Sequence, residues 1–257
     1  VLLVIKYVID WALLCVVLSQ TLVFFVTLFF ITKAPWVSFS YLTSGMDKES
    51  ARKLLKFSLM AFTSLFAVTF IQLQIRSYLI RTLTIEDAGY WQGIVRISDI
   101  YLTFITSTLS IYYLPRLSEI KDRDELRREL FKGYKFVLPL AILSSLAIYL
   151  GRELIVHLLL AKSFLPMLPL FLWQLVGNVL KVASWLLGYL VLAKAMTKVF
   201  IISELVFGLS LYALTVLCVG KSGVVGATYA YAINYLVYLV FLIYLFRDIL
   251  FQKVSRF

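Results

Sequence analysis

The sequence has almost none of the residues that build metal centres or disulfide frameworks. It holds two cysteines and one histidine in 257 residues. Cys15 and Cys218 lie in apolar runs, without the spacing of a metal site or a disulfide framework, so we expect both to be small packing residues. His157 lies alone in "LIVHLLLA", where a structural role is expected and proton sensing is the alternative. We therefore expect no metal and no cofactor.

Charged residues are also scarce, and long stretches of the chain hold none. Charged residues make up 15% of the chain and hydrophobic residues 62%, whereas a soluble domain is roughly 45–50% apolar. Residues 11–32 and 222–246 contain no charge, and 57–75 form a third uncharged run. A helix crosses a bilayer core of about 30 Å with roughly 20 mostly apolar residues. A soluble protein of this size rarely buries three such helices, so the sequence predicts an integral membrane protein.

The hydrophobic runs predict an all-α, polytopic membrane helical bundle. We expect about seven full transmembrane helices, preceded by the end of another helix at residues 1–9. The chain opens inside a hydrophobic run, without an initiator methionine or a signal peptide, and we expect it to be the C-terminal portion of a longer transporter. The predicted spans are 11–32, 55–79, 88–115, 134–151, 166–193, 198–220 and 223–246.

The Lys and Arg residues of the connections predict the orientation of the spans. Every second connection is rich in these residues, with 17 in one set and five in the other. The basic set should face the cytoplasm, which places the C-terminus there. The formal net charge of +11 is therefore read as a topology signal and not as a nucleic-acid patch. The basic set comprises 33–56, 116–135, 194–198 and 247–257; the other set comprises 76–87, 152–163 and 221.

A polar stripe runs along the predicted span 88–115. Its members recur at helical spacing, which places them on one face. A charge in the bilayer centre costs several kcal/mol unless it faces a partner or water, so the stripe predicts a helix that lines a polar cavity. The alternative is an internal ion pair of Arg96 with Asp99, three residues apart, that only stabilises the bundle. The stripe comprises Gln92, Arg96, Asp99, Thr103, Thr106 and Ser110.

Three other predicted spans also carry polar or charged residues. Span 166–193 repeats the stripe with Gln174, Asn178 and the cation Lys181. Arg76 lies near the outer end of span 55–79, where contact with lipid headgroups is the ordinary role of an arginine. Glu204 lies six residues into span 198–220 and is open to either headgroup contact or a proton relay.

These residues predict a cavity with an excess of positive charge, because Arg96 and Lys181 outnumber Asp99. Arg and Lys pair strongly with phosphate oxygens, and amides and hydroxyls suit sugars. We expect Arg96, assisted by Lys181, to bind the phosphate and the amides to contact the sugar. The predicted substrate-binding residues are Arg96, Lys181, Arg76, Gln92, Asp99, Gln174 and Asn178, and the candidates for ion coupling are Asp99 and Glu204.

Three segments carry a resemblance to a known family. "GYWQGIVRISDIYLTFITSTLSIYYLPRLSEI", "KFVLPLAILSSLAIYLGRELIVHLLLAKSF" and "LFLWQLVGNVLKVASWLLGYLVLAKA" resemble the bacterial Wzx-type flippases of the multidrug/oligosaccharidyl-lipid/polysaccharide exporter superfamily. The resemblance covers nearly the whole chain, and the segments centred on the dipeptide WQ are its most specific part. It implies a transporter that moves undecaprenyl-pyrophosphate-linked oligosaccharide, for O-antigen or enterobacterial common antigen (lipid III), between leaflets of the bacterial inner membrane by alternating access.

The resemblance also implies an architecture of twelve helices in two six-helix bundles. Residues 1–32 would end the N-terminal bundle, 33–54 would link the bundles in the cytoplasm, and 55–257 would form the C-terminal bundle. The first bundle's half of the site would lie outside this chain, so we expect no transport by this chain alone. The implied partners are the lipid-linked oligosaccharide, the bilayer, and the polysaccharide polymerase with its chain-length machinery, and no nucleic acid.

Other functions make different demands on the sequence. A membrane enzyme such as a polymerase or glycosyltransferase needs a soluble loop or paired carboxylates, and Glu86, Asp87 and Glu153 in the short outer connections form no such site. A drug or cation antiporter of the same superfamily is expected to carry an unpaired acid and little basic charge in its cavity. A peptidoglycan-precursor flippase shares the phosphate chemistry and stays an alternative.

Overall fold

The computed structural model describes residues 2–33 and 47–251, and throughout these ranges the chain is helical, with short turns and no strand. Most of the predicted linker 33–54 and the end of the tail 247–257 lie outside the described residues. The contacts divide the chain into two compact units, residues 1–52 and 53–257.

The first unit contains helix α1, Leu2–Lys33. Residues 2–9, expected to end a separate helix, continue into the predicted span 11–32 without a break. The physical reason is that no proline or glycine interrupts this stretch, and either residue is what ends or kinks a helix. Within its unit, every side chain from 14 to 33 is exposed, as expected of a helix whose apolar surface faces lipid. Its assignment to an N-terminal bundle stays a prediction.

The helices from Lys48 onward reproduce the predicted spans, with longer bounds for some helices and shorter bounds for those at 170–193 and 225–245. Seven helical stretches in the described ranges, including residues 14–33 of α1, are long and apolar enough to cross a membrane, which confirms the seven predicted spans. Most of the predicted connection 116–135 is also helical, because α5 begins at Arg123 and runs on into the span. The elements are α2 (Lys48–Thr82), α3 (Ile85–Thr108), a π-helical turn (Leu109–Tyr113), α4 (Leu114–Glu119), α5 (Arg123–Leu150), α6 (Arg152–Leu159), a 3-10 helix (Lys162–Met167), α7 (Leu170–Ala193), α8 (Thr197–Ser222), α9 (Val225–Leu245) and α10 (Arg247–Leu250).

Side-chain caps fix several helix starts. The Thr84 hydroxyl accepts a hydrogen bond from the Asp87 backbone N–H at 3.0 Å, and the Asp122 carboxylate accepts one from the Glu125 N–H at 2.8 Å. Each cap satisfies a backbone donor that has no partner inside its helix. Gly223, with φ of +61°, allows the tight turn from α8 into α9, since a left-handed backbone favours glycine.

Helix α7 is the central helix of the second unit and contacts α3, α5, α8 and α9. Its buried side chains belong to two apolar clusters. One cluster includes Ile97 of α3 and Leu175 of α7, and the other includes Leu102 of α3 and Val182 of α7. Polar side chains of both helices lie between the two clusters, and they include Ser98 of α3 and Asn178 and Lys181 of α7.

Two glycines allow helices to approach closely at this core. A Cβ on Gly177 of α7 would collide with the ring of Tyr231 on α9, and a Cβ on Gly226 of α9 would collide with the carbonyl of Cys218 on α8. Small residues at such crossings let membrane helices pack backbone to backbone. Gly226 therefore has a packing role in the last span.

Candidate functional site

The second unit contains a cavity of about 340 Å³. Its wall comes from α2, α7, α8 and α9, with a single residue, Thr106, from α3. The volume lies within the range of about 300–1,000 Å³ that is usual for ligand sites. We call this space the larger cavity, because it is the larger of the two that Lys181 lines. Its polar and aromatic lining includes Ser64, Gln72, Lys181, Trp185, Tyr189, Ser203, Glu204, Phe207, Tyr231, Asn234, Tyr235 and Tyr238.

Three aromatic rings surround the ammonium group of Lys181. The Nζ atom lies 5.1 Å from the ring centroid of Trp185, 5.7 Å from that of Tyr231 and 5.3 Å from that of Tyr235. Trp185 is one turn along α7 from the lysine, and the two tyrosines are one turn apart on α9. Aromatic faces attract a cation at these distances, so the rings stabilise the charge of Lys181 inside the membrane span.

A smaller cavity of about 50 Å³ lies beside the larger one. Gln72, Lys181, Leu211 and Tyr231 line both cavities. The smaller cavity also contacts Gln174, whose side chain is only 2% exposed and whose Oε1 has no hydrogen-bond partner within the described part of the chain. A space of this size holds water molecules and not a sugar ring.

Two acidic residues from different helices line the cavities that Lys181 also lines. Asp99 of α3 lines the smaller cavity, and Glu204 of α8 lines the larger one. Glu204 accepts a hydrogen bond from the Ser64 hydroxyl at 3.3 Å. Lys181 therefore shares one cavity with each of the two acids.

The Arg96 side chain is exposed on α3 and does not line either cavity in the described part of the chain. Among the described residues, Arg96 and Asp99 form no ion pair within 4.0 Å. Arg76 is exposed on α2 in the same way. The expected excess of positive charge therefore does not arise in the cavity walls, where Lys181 faces Asp99 and Glu204.

The three amides expected to contact sugar lie in different surroundings. Gln174 lines the smaller cavity, and Gln92 is half-buried on α3 outside both linings. Asn178 is fully buried; its Nδ2 donates to the Ser98 hydroxyl at 2.9 Å, and its Oδ1 accepts from the Tyr231 hydroxyl at 2.8 Å. The Asn178 amide thus ties α3, α7 and α9 together beside Lys181. Their contact with sugar stays a prediction.

The hydroxyls of the α3 stripe bond mainly to their own helix. Thr103 donates to the carbonyl of Asp99 at 2.6 Å, and Thr106 donates to the carbonyls of Leu102 and Thr103 at 3.0 Å each. Ser110 differs, because its hydroxyl lies 2.7 Å from that of Tyr189 on α7. These bonds satisfy hydroxyl donors within the span, where water is scarce.

The sequence analysis did not identify Asn234, which lines the larger cavity. Its side chain is 3% exposed, and its Oδ1 has no hydrogen-bond partner within the described residues. Tyr231, Tyr235 and Tyr238 of the same helix also line this cavity. Their helical spacing can be read from "YAINYLVY", but this span contains no charged residue to draw attention to it.

The chain is similar to known proteins of bacterial glycan assembly. Residues 1–169 match the family model described as "Polysaccharide biosynthesis protein". The chain is 36% identical over 229 residues to the "Lipid III flippase" of Escherichia coli (strain K12), and equally to that of Shigella flexneri. In both comparisons the match covers 89% of this chain and 55% of the relative, so the chain spans about half the length of the curated relatives it matches. No solved structure matches the chain.

The family model covers well over half of the chain, and the relatives extend the match through most of the second unit. The seven membrane-spanning helices agree with this assignment. The chain belongs to the polysaccharide biosynthesis protein family.

Proposed function

We propose that this chain is part of a flippase that translocates a lipid-linked oligosaccharide, with its pyrophosphate bound at Lys181. The observation that carries the proposal is the position of Lys181, a cation inside a membrane span that lines both cavities and is held by three aromatic rings. A charged side chain inside a membrane span is energetically costly, and such residues usually serve a function. The lipid III flippases at 36% identity point to undecaprenyl-pyrophosphate-linked oligosaccharide as the substrate.

The two carboxylates give a physical account of binding and release. Asp99 and Glu204 compensate Lys181 when no substrate is bound, and an anionic pyrophosphate competes with them for the ammonium group. Protonation of either acid favours the anion, and deprotonation favours its release, since like charges repel and opposite charges attract strongly in a low dielectric. This exchange couples translocation to protons through the two residues expected to serve ion coupling.

The other predicted site residues take supporting positions in this proposal. Arg96 and Arg76, exposed on this unit, bind the pyrophosphate together with Lys181, and Gln92 lies one turn from Arg96. Gln174 accepts a hydrogen bond from water in the smaller cavity, and Asn178 holds Tyr231 beside Lys181.

We place the protein in the bacterial inner membrane with a cytoplasmic C-terminus, as the basic connections predict. It acts as a transporter and not as an enzyme, moving its substrate from the cytoplasmic to the periplasmic leaflet. The polysaccharide polymerase and its chain-length machinery are the partners that would take up the translocated product.

Transport by the full-length protein in liposomes tests the proposal. The substrate is a fluorescent polyprenyl-pyrophosphate oligosaccharide, and the readout is its accessibility to a membrane-impermeant quencher. We expect Lys181→Met to abolish translocation, whereas the matched variant Lys198→Met, at an exposed position outside both linings, retains it. Normal transport by Lys181→Met would overturn the assignment, and transport of an organic cation in place of the lipid would favour the antiporter.

A further inference from the structure

We propose that the larger cavity is a saccharide subsite in which Asn234 is the polar contact that recognises a sugar. The inference rests on the proposed function, because the proposed occupant of the larger cavity is the sugar attached to the pyrophosphate at Lys181. Asn234 lies on α9, between the two tyrosines that surround the ammonium group, and it lines the same cavity.

The first observation is a buried acceptor that lacks a donor. The Asn234 Oδ1 atom is buried and has no hydrogen-bond partner within the described residues. A buried amide oxygen without a partner costs about 1–3 kcal/mol, so a ligand that donates to it is favoured. A sugar hydroxyl or an acetamido N–H supplies that donor.

The second observation is an aromatic wall that Lys181 does not use. Phe207 and Tyr238 pack with their ring centroids 4.7 Å apart, and both line the cavity. Tyr189 and Phe200 contribute further rings to the lining. The C–H face of a pyranose ring packs well on an aromatic face, because the hydrogens carry partial positive charge and the ring face is negative. The cavity thus offers stacking surface together with a hydrogen-bond acceptor.

The lining argues against two other occupants. An alkyl chain would leave the buried Asn234 oxygen without a donor and would offer no hydrogen bond to Glu204 or Gln72, which is unfavourable for polar groups in a dry space. An organic cation would compete with Lys181, whose ammonium group already occupies the aromatic rings nearest to it. A neutral, polyhydroxylated ligand of monosaccharide to disaccharide size offers hydrogen bonds and adds no charge, and the volume of about 340 Å³ suits it.

Two lipid probes that differ only in the sugar separate this subsite from the pyrophosphate site. The probes are farnesyl pyrophosphate and the same lipid carrying one N-acetylhexosamine, and their dissociation constants are measured on the full-length protein in lipid nanodiscs. We expect the sugar-bearing probe to bind more tightly to the unaltered protein. Asn234→Leu should lower the affinity for that probe roughly threefold to tenfold, as expected for the loss of one hydrogen bond. The affinity for the bare lipid should stay unchanged.

Matched variants keep the test decisive if Asn234→Leu folds poorly. Tyr238→Leu removes a ring from the wall and should also weaken only the sugar-bearing probe, whereas Tyr244→Leu, at an exposed position on the same helix, should change neither. Equal affinity of the two probes for the unaltered protein, or an unchanged ratio in both cavity variants, would overturn the subsite and leave the role of Lys181 intact. Failure of both probes to bind would instead overturn the proposed function.

Discussion

The Tyr231 hydroxyl donates a 2.8 Å hydrogen bond to Oδ1 of Asn178, across the contact between α9 and α7. The same tyrosine ring lies 5.7 Å from the ammonium group of Lys181. The buried amide therefore positions a ring that stabilises the charged centre of both cavities. Packing and the candidate site are connected through this one bond.

Replacing Asn178 should destabilise the second unit. Asn178→Leu leaves the Ser98 and Tyr231 hydroxyls without their shared partner in a buried layer, which should cost about 1–3 kcal/mol. We expect a lower melting temperature in detergent, measured on the full-length protein. Tyr231→Phe, which removes only one of the two bonds, should lower it less. A melting temperature unchanged by Asn178→Leu would contradict the structural role of this network.

A methyl group at Gly177 should disturb the site through packing. Gly177→Ala places a Cβ against the Tyr231 ring, so the ring must move away from Lys181, and both stability and transport should fall. Gly220→Ala on α8 is the control, because its added Cβ meets no atom within 4 Å and Gly220 lies outside both cavity linings. Alanine is favoured over glycine in a helix by about 1 kcal/mol, so the control should be neutral or slightly stabilising. Equal effects of the two substitutions would contradict the importance of the close contact between Gly177 and the Tyr231 ring.

Gly226 should tolerate a large side chain less well than an exposed position of the same helix. Gly226→Leu drives its side chain into the backbone of α8 at Cys218, whereas Val240 is 58% exposed and Val240→Leu adds only apolar surface. We expect a large loss of folded protein for Gly226→Leu, measured as monodisperse yield after size-exclusion chromatography. The packing interpretation fails if both variants give the same yield.

Arg96 and Asp99 should act on transport and not on folding. Because they form no ion pair among the described residues, we expect Arg96→Ala, and Arg96→Ala combined with Asp99→Ala, to reach normal membrane abundance. Both should remain deficient in glycan export by cells that express the full-length protein, and Arg96→Lys should retain part of the activity. Full export by the double variant would end the role of Arg96 in binding phosphate and restore the ion-pair interpretation.

The orientation can be tested by cysteine labelling in intact cells. Cys15 and Cys218 are first replaced by serine, and single cysteines are then introduced at Lys121, between α4 and α5, and at Glu153 in α6; both positions are exposed. An impermeant thiol reagent added outside the inner membrane should label Glu153→Cys and not Lys121→Cys. Labelling of Lys121→Cys from outside would reverse the proposed topology.

The membrane class, the seven spans and the polar stripe of α3 could be predicted from the sequence alone. A charge-free run of about 20 residues has few alternatives to a membrane helix, because lipid leaves no other partner for its backbone groups. Helical spacing likewise places Arg96, Asp99 and Thr103 on one face, and the structure leaves all three exposed on that face.

Only the tertiary structure decided which polar residues meet. Asn178 and Lys181 are three residues apart on α7, yet the amide is occupied by Ser98 and Tyr231, while the ammonium group lines both cavities. Asn234 became a candidate only when α9 was placed against α7 and α8. The spacing along a helix determines which residues share a face, but the neighbouring helices determine whether that face meets a partner, a cavity or lipid.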